Sequence, residues 1–377
     1  MLLEVQDLIL RTLFKILWIL PVNSKKVVFS SFRGRQYSDN PKAVSEKLQE
    51  IGGVEVVWIL NNPQYAPDGV KCVKEKSLGE IFELATSKVW VDNCRKRRWI
   101  PKRKTQFYIQ LWHGNIAGKK VEGDADLSPE YIKGAKYDSR IADLFISGSK
   151  WATNNYREAF WYDGEIAEYG NPRSDIFYTD HEHIIKKVRT FYGINKDTRI
   201  ALYAPTFRNN KRLDVYNLDY QRLLDRLAKK WGGDWVVLVR LHPNLTDLQD
   251  QIPYSSQVMN GLSYQEINDL IVSCDLLITD YSSCMFDAME AGKKVFLYAL
   301  DAKEYENERG HYFSLRELPF GYNESTDELL ASIDNFDIDK FSDKVDMFKK
   351  SCGIINDGHA SERVANRIIS ELSGVRR

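Results

Sequence analysis

The sequence predicts an α/β protein of two doubly wound, Rossmann-like domains facing a cleft, preceded by an amphipathic helix. Three observations carry this reading. Short β-branched and aromatic runs alternate with helical stretches along nearly the whole chain, the pattern of parallel sheets covered on both faces. The alternation pauses once, at EYGNPRSDIFY (168–178), and then restarts. At 377 residues the chain also exceeds one ordinary core, so two domains are expected. The expected division is 1–22 for the leading helix, 23–185 for the first domain and 186–377 for the second. The last helix could pack back across the junction.

The elements follow in order. MLLEVQDLILRTLFKILWILP places Glu4, Asp7, Arg11 and Lys15 on one narrow helical stripe, with apolar residues over most of the remaining surface and Pro21 at the end. It lacks a basic start and a small-residue cleavage site, so it is a poor secretory leader. Its regular charges also argue against a spanning helix. So wide an apolar face must be covered, either by the protein's own core or by a membrane interface with Trp18 at headgroup depth. The second is favoured, because an element ahead of the first strand has little core left to cover. KVVFSSF, ending at Phe32, is the first strand, NPKAVSEKLQEIGG a helix with a glycine stop, and VEVVWIL the next strand. KVWVDN, FYIQLW and DLFISGS continue the series, with helices at 78–86 and 149–160. After the pause, helical HIIKKVRTFYGI leads to RIALYAP, WVVLVRLHP, CDLLITD and KVFLYAL as strands, and HASERVANRIISELSG closes the chain as a helix.

Fifty-three basic residues balance fifty-three acidic ones, so no net charge draws the chain to nucleic acid, and none is expected as a partner. The balance hides NCRKRRWIPKRK (93–104), seven basic residues with no acid. This is either a solvated loop or a patch facing phosphate or anionic lipid. Five scattered cysteines form no CxxC pair, which fits free thiols in a reducing compartment. The cysteines show no metal-ligand spacing, no Walker loop, GxGxxG or GxSxG is present, and no DxD pair follows the strands, so no cofactor and no dedicated metal are expected.

Open α/β sheets bind ligands at strand carboxyl ends. Of six histidines, only His113 (in LWHG) and His242 (in RLHP) end apolar strands; one from each domain points to catalysis. In TDYSSCMFDAM, Asp280 ends a strand and Ser282 and Ser283 open a helix. Serine there caps free amides, and the same amides attract a phosphate or diphosphate. Asp287 lies one turn on, placed to reach a polyol hydroxyl. Pro205, Thr206 and Arg208 follow another strand, Arg173 sits in the GNPRSD turn, and Arg240 and Leu241 precede His242. Any one arginine suits the surface; together they suit a diphosphate. The layout is GT-B-like.

With RGRQYSDNPKAV, LWHG, GNPRSD, YAPTFR, RLHP and TDYSSCMFDAM in that order, the chain from about residue 25 resembles the CDP-glycerol glycerophosphotransferase family of teichoic acid and capsule synthesis. The resemblance implies a peripheral enzyme at the cytoplasmic face of the membrane. Such an enzyme moves a polyol phosphate from a CDP-alcohol to a hydroxyl of a lipid-linked saccharide and releases CMP, on an anionic membrane surface. It implies His113 as general base and His242 as stabiliser of the phosphoryl or leaving group. Trp112, Gly114, Asn115, Ile116, Arg173, Pro205, Thr206, Arg240, Leu241, Ser282, Ser283 and Asp287 match donor-binding positions, joined by Arg208 and Asp280 from the strand-end reading. One departure stands out: the family often reads WHGTPLK where this chain has WHGNIAGKK, which bears on the alcohol or acceptor. The fold alone suits a glycosyltransferase or sialyltransferase equally, and the polyol, the acceptor, the number of units added and the oligomeric state stay open.

Overall fold

The computed structural model describes residues 2–208, 213–302, 304 and 310–374, apart from the side chains of 2–6, 243, 244 and 246. Glu4 of the expected polar stripe therefore lies outside the described side chains. The chain forms two compact units: Met1–Asn115, Val121–Asp175 and Gly353–Arg377 make one, Ile116–Lys120 and Ile176–Cys352 the other.

The first unit holds a seven-stranded sheet: β1 (Asn23–Ser30), β2 (Glu55–Leu60), β3 (Cys72–Lys74), β4 (Ser87–Asp92), β5 (Phe107–Gln110), β6 (Leu144–Ser147) and β7 (Glu165–Glu168). Their order is β3-β2-β1-β4-β5-β6-β7, every pair parallel. Successive residues of β1 feed opposite cores: Val27 and Phe29 pack with Trp58 and Ile109, while Val28 packs with Trp90 and Tyr108. With both faces buried, the strands read as continuous apolar runs, as a parallel sheet requires. Strand order reverses between β1 and β4, which makes their carboxyl ends a topological switch point.

Helices α1 (Leu2–Ile16), α2 (Asp39–Ile51), α3 (Leu78–Thr86), α4 (Pro129–Ile141) and α5 (Lys150–Glu158) belong here. Serine caps set several starts: Ser77 Oγ accepts from Glu80 N, Ser128 Oγ from Tyr131 N and Ser149 Oγ from Ala152 N. The chain's last helix, Ala360–Ser373, puts Val364, Ala365 and Ile368 into the core beside Val44 and Leu48 of α2. Its first amides, Ala360 N and Ser361 N, donate to the Asp175 carboxylate.

In α1, Phe14 is fully buried, with Leu10, Leu17 and Trp18 packed on the same core. Trp18 lies half-buried beneath Arg103. Leu8, Ile9, Leu13, Ile16 and Ile19 face outward, as do Leu78 and Phe82 of neighbouring α3. Among the described residues no helix is long and apolar enough to cross a membrane.

The basic run differs from both sequence expectations, because acids, most of them far along the chain, pair with much of it. Arg95 pairs with Glu122 and Asp138, Lys96 with Asp92, Arg97 with Glu75, Arg98 with Glu130 and Lys102 with Asp143. Arg103 donates to the carbonyls of Leu17 and Leu20, tying down the end of the first helix.

The second unit has β8 (Arg199–Tyr203), β9 (Trp235–Val239), β10 (Val258–Asn260), β11 (Leu276–Thr279), β12 (Lys294–Tyr298) and β13 (Gly321–Asn323). The order is β10-β9-β8-β11-β12-β13, all parallel, with the switch point between β8 and β11. Helices α6 (Glu182–Tyr192), α7 (Tyr220–Trp231), α8 (Ile267–Ser273), α9 (Cys284–Glu290), α10 (Thr326–Asp334) and α11 (Ile338–Cys352) belong to it; the closing helix of the first unit is α12.

Candidate functional site

In the first unit the loops after β1, β4, β5 and β7 meet at one edge of the sheet. His113 follows β5, half-buried, with Trp112 stacked on it at 4.2 Å and the Phe32 ring 5.6 Å away. Its Nδ1 lies 2.8 Å from the Asn93 carbonyl oxygen. A carbonyl only accepts, so Nδ1 carries the proton and Nε2 keeps its lone pair. Burial lowers the His113 pKa from its ordinary 6.5 and the Arg173 charge adds to this, outweighing the opposing Asn93 carbonyl and Asp39 carboxylate.

Asn93 and Asp39 organise the surroundings. The Asn93 side chain accepts from Phe32 N at 2.8 Å and donates to Ser31 Oγ and Asp39. Asp39 takes Arg173 Nη1 at 2.7 Å, and the same nitrogen donates to the His113 carbonyl at 3.0 Å. Burial pushes the Asp39 carboxyl up, but Arg173, Asn40 N and Asn93 more than offset this and hold it below its ordinary value. Arg173 thus braces the histidine loop. Phe32, Arg33, Asp39 and Trp112 all have positive φ, between 47° and 64°. Each such residue costs about 1–3 kcal/mol and persists only where its surroundings hold it. Gly34 continues the left-handed run at φ 77°, where a Cβ would press on the backbone at Ile59 and Asn61.

Of the other first-unit candidates, Gly114 is half-buried and Asn115 buried. Asn115 sits against Gly148, where a Cβ would come within 2.9 Å of its Oδ1, and its carbonyl accepts from Ser149 Oγ. Ile116 is buried and belongs to the second unit.

In the second unit, Asp280 bridges the switch point: its Oδ1 accepts from Thr206 N at 2.7 Å and from Tyr281 N at 2.5 Å. Arg208 donates to Asp280 at 2.8 Å and to Asp301 at 2.7 Å, with its guanidinium over the Tyr281 ring. Burial opposes charge on Arg208, yet the two carboxylates raise its pKa further above the ordinary value. The expected diphosphate ligand is therefore an internal ion-pair hub. Arg240 is likewise committed, donating to the carbonyls of Gly261, Tyr264 and Gln265. Burial lowers its pKa. Leu241 is 1% exposed and sits in the apolar core.

Residues open to a ligand remain. His242 is exposed, its ring 5.3 Å from Phe207. The Thr206 hydroxyl is buried without a hydrogen-bond partner among the described residues, which at a switch point marks an atom awaiting one. Pro205 is buried, and its carbonyl accepts from Tyr216 at 3.3 Å. Ser283 precedes α9 without capping it through its side chain and is exposed; Ser282 is half-buried and Asp287 buried in the first turn. Among the described residues no group of three His, Cys, Asp or Glu could hold a metal.

Sequence reasoning missed Asp39, Asn93 and Asp301. Asp39 and Asn93 stood next to strand or helix boundaries, a signal available in polar clusters such as QYSDN (36–40); Asp301 had only its place three residues after β12.

A protein-family profile described as CDP-glycerol:poly(glycerophosphate) glycerophosphotransferase matches residues 12–370. The teichoic acid glycerol-phosphate transferase of Staphylococcus aureus is 30% identical, over 95% of this chain and 96% of its own. The teichoic acid poly(glycerol phosphate) polymerase of Staphylococcus epidermidis is 29% identical over 93% of this chain, which spans about half (51%) of that relative's length. The solved wall teichoic acid polymerase TagF superposes with a TM-score of 0.86 at 27% identity, covering 100% of this chain and 98% of that one.

Proposed function

The chain belongs to the CDP-glycerol:poly(glycerophosphate) glycerophosphotransferase family, and on that premise we propose that it transfers glycerol phosphate from CDP-glycerol to a hydroxyl of a lipid-linked cell-wall glycan. The observation that carries this reading is the His113 tautomer. With Nδ1–H held by the Asn93 carbonyl, Nε2 is free to take the proton of the acceptor hydroxyl. The acceptor oxygen forms a bond to the β-phosphorus as the bond from that phosphorus to the bridging oxygen breaks. CMP leaves with the bridging oxygen. Such a reaction rests on positioning and charge stabilisation rather than on a covalent enzyme intermediate. His242 is assigned to the phosphoryl or leaving group. Thr206, Ser282, Ser283 and Asp287 are assigned to the donor, and Arg173, Arg208, Asp280 and Arg240 to holding the loops that carry these groups. The first unit is read as the acceptor domain and the second as the donor domain.

The test is CMP release by purified protein from CDP-glycerol and CDP-ribitol, with mass spectrometry of the product on a lipid-linked saccharide. Turnover of a UDP-sugar or CMP-sialic acid, with neither CDP-alcohol consumed, would overturn the reading.

Peripheral association with the cytoplasmic face of the membrane fits the same reading. The exposed apolar residues of α1 and α3 supply burial in an interface. Because the basic run is paired internally, insertion rather than charge should dominate. Binding to anionic vesicles should therefore change little when salt is raised, whereas electrostatic attraction would be screened. Replacing Leu8, Leu13 and Ile16 with Ser should release the protein from vesicles without lowering CMP release to a soluble acceptor. Vesicle binding that persists in this variant would end the membrane role of α1.

A further inference from the structure

Beyond β5 the backbone that carries His113 leaves the sheet. Leu111 N still donates to Asp92 O at 2.8 Å, but the next residue, Trp112, turns left-handed at φ 51°. A bulky residue is an outlier there and persists only where its surroundings hold it. Two side-chain amides do so, both fully buried: Gln110 at the end of β5 and Asn40 in the first turn of α2. Gln110 Oε1 accepts from Trp112 N at 3.0 Å, and Asn40 Nδ2 donates to Trp112 O at 2.9 Å. Each amide also reaches a second segment of the site. Gln110 Nε2 donates to the Cys94 carbonyl at 3.1 Å, one residue after the Asn93 carbonyl that holds the His113 Nδ1 proton. Asn40 Oδ1 accepts from Arg173 N at 2.8 Å, and the Arg173 side chain donates to the His113 carbonyl. The backbone amides of Trp112 and Arg173 only donate, while the carbonyls of Trp112 and Cys94 only accept. A side chain must therefore offer both a donor and an acceptor to satisfy either pair. The Trp112 ring, fixed by this backbone, stacks on the imidazole at 4.2 Å, with the Arg95 guanidinium 5.6 Å from it.

We infer that Asn40 and Gln110 are positioning residues for the base: two amides that lock the Trp112 peptide and, through it, keep the His113 ring with its proton on Nδ1. Neither is assigned a contact with the reacting atoms. The consequence for rate rests on the transferase reading, whereas the locked tautomer is a property of the free protein. Neutral amides suit the task. A charged side chain at either place would shift the His113 pKa, as Asp39 and Arg173 do, while an amide fixes geometry and leaves the charge around the ring unchanged. Without either amide the Trp112 peptide relaxes, the ring turns with it, and the Asn93 carbonyl no longer selects the nitrogen that keeps the proton. A share of the molecules then carries the proton on Nε2, where it blocks uptake of the acceptor proton.

The test uses the near-isosteric, uncharged variants Asn40→Leu and Gln110→Met of the full chain. Long-range proton–nitrogen correlation spectra of histidine-labelled protein, recorded under mildly alkaline conditions, report which imidazole nitrogen carries the proton. The His113 signals are those missing from His113→Ala. The wild type should show the proton on Nδ1 alone, and each variant a mixture of the two tautomers. In CMP release from CDP-glycerol, each variant should lose about tenfold to a hundredfold in kcat, since a misplacement of about 1 Å can cost about that much. Its KM for CDP-glycerol should stay within about twofold, as for a group that acts on the transition state alone. Melting curves separate misplacement from loss of fold, and Gln110→Met carries the test if Asn40→Leu does not fold. A wild-type His113 protonated on Nε2 overturns the proposal, as does a folded variant that keeps the wild-type tautomer, whatever its rate. A mixed tautomer with unchanged kcat supports the lock and removes His113 as the base. If the wild type does not consume CDP-glycerol, the transferase reading fails, and the spectra, which need no substrate, still decide whether the two amides hold the ring.

Discussion

Around His113 the fold directs polar groups at the histidine, whereas the two arginines nearest His242 in the second unit's loops, Arg240 and Arg208, are committed to other groups. Asn93 takes the Nδ1 proton, Arg173 takes the His113 carbonyl, Asp39 holds Arg173, and Trp112 and Phe32 flank the ring. Beside His242, Arg240 clamps the 261–265 loop and Arg208 joins Asp280 to Asp301, and the imidazole is exposed with the Phe207 ring near it. A base must hold one tautomer and a neutral ring before the substrate arrives, which demands a built cage. A group that meets a phosphate can instead be set by the ligand's own charge, and needs only loops fixed in place. The strain follows the same division, since Phe32, Arg33, Asp39 and Trp112 are left-handed and all surround His113.

This contrast can be broken most severely at the histidines. His113→Ala should lower kcat by about a hundredfold to ten-thousandfold, the range for a lost general base. Imidazole added to that variant should restore part of the rate. His242→Ala should lose at least about a hundredfold by the same scale, with no rescue by imidazole. Rescue of both, or near-normal rates in a folded His113→Ala protein, would remove the division of roles.

The next largest effect concerns the loops rather than the chemistry. Asp280→Ala leaves Arg208 with Asp301 alone in a buried setting, and breaking a buried pair typically costs about 3–5 kcal/mol. The melting temperature should fall markedly, and more than in Asp39→Asn, which changes a site that is already strained. Equal stability of Asp280→Ala and wild type would mean that Arg208 is free to serve a ligand after all.

A smaller shift sharpens the picture at His113, which is faced by Asp39, Arg173 and Glu122. The base works when neutral, so activity is present above its pKa and lost as pH falls through it. Burial places that acid limb below 6.5. Removing the Asp39 charge takes away a group that raises the pKa, so Asp39→Asn should move the limb further down. Removing Arg173 takes away a group that lowers it, so Arg173→Gln should move the limb up. The pH profile of kcat/KM reads both, and shifts of the same sign would break the model of a caged base. Smallest of all, a chelator should leave CMP release unchanged, whereas activity lost to it and restored by magnesium would bring in a metal.

The alternation of apolar strands and helices, the two series and the strand-end histidines were legible in the chain because each is a local pattern. Period-two or fully apolar runs, glycine stops and serine caps act within a few residues, and a parallel sheet gathers strand ends at one edge whatever the sequence between them. Nothing local, however, tells an arginine which acid it will meet. The basic run at 93–104 read as either a solvated loop or a patch for phosphate or lipid, and Arg208 and Arg240 as ligands for phosphate, since their partners lie far along the chain: Glu122 and Asp138 for Arg95, Asp280 and Asp301 for Arg208, the 261–265 carbonyls for Arg240. The same holds for the carbonyl of Asn93, which selects the His113 tautomer across twenty residues. Charge pairing and hydrogen bonding depend on distances of about 3 Å, and only the packed tertiary structure sets those.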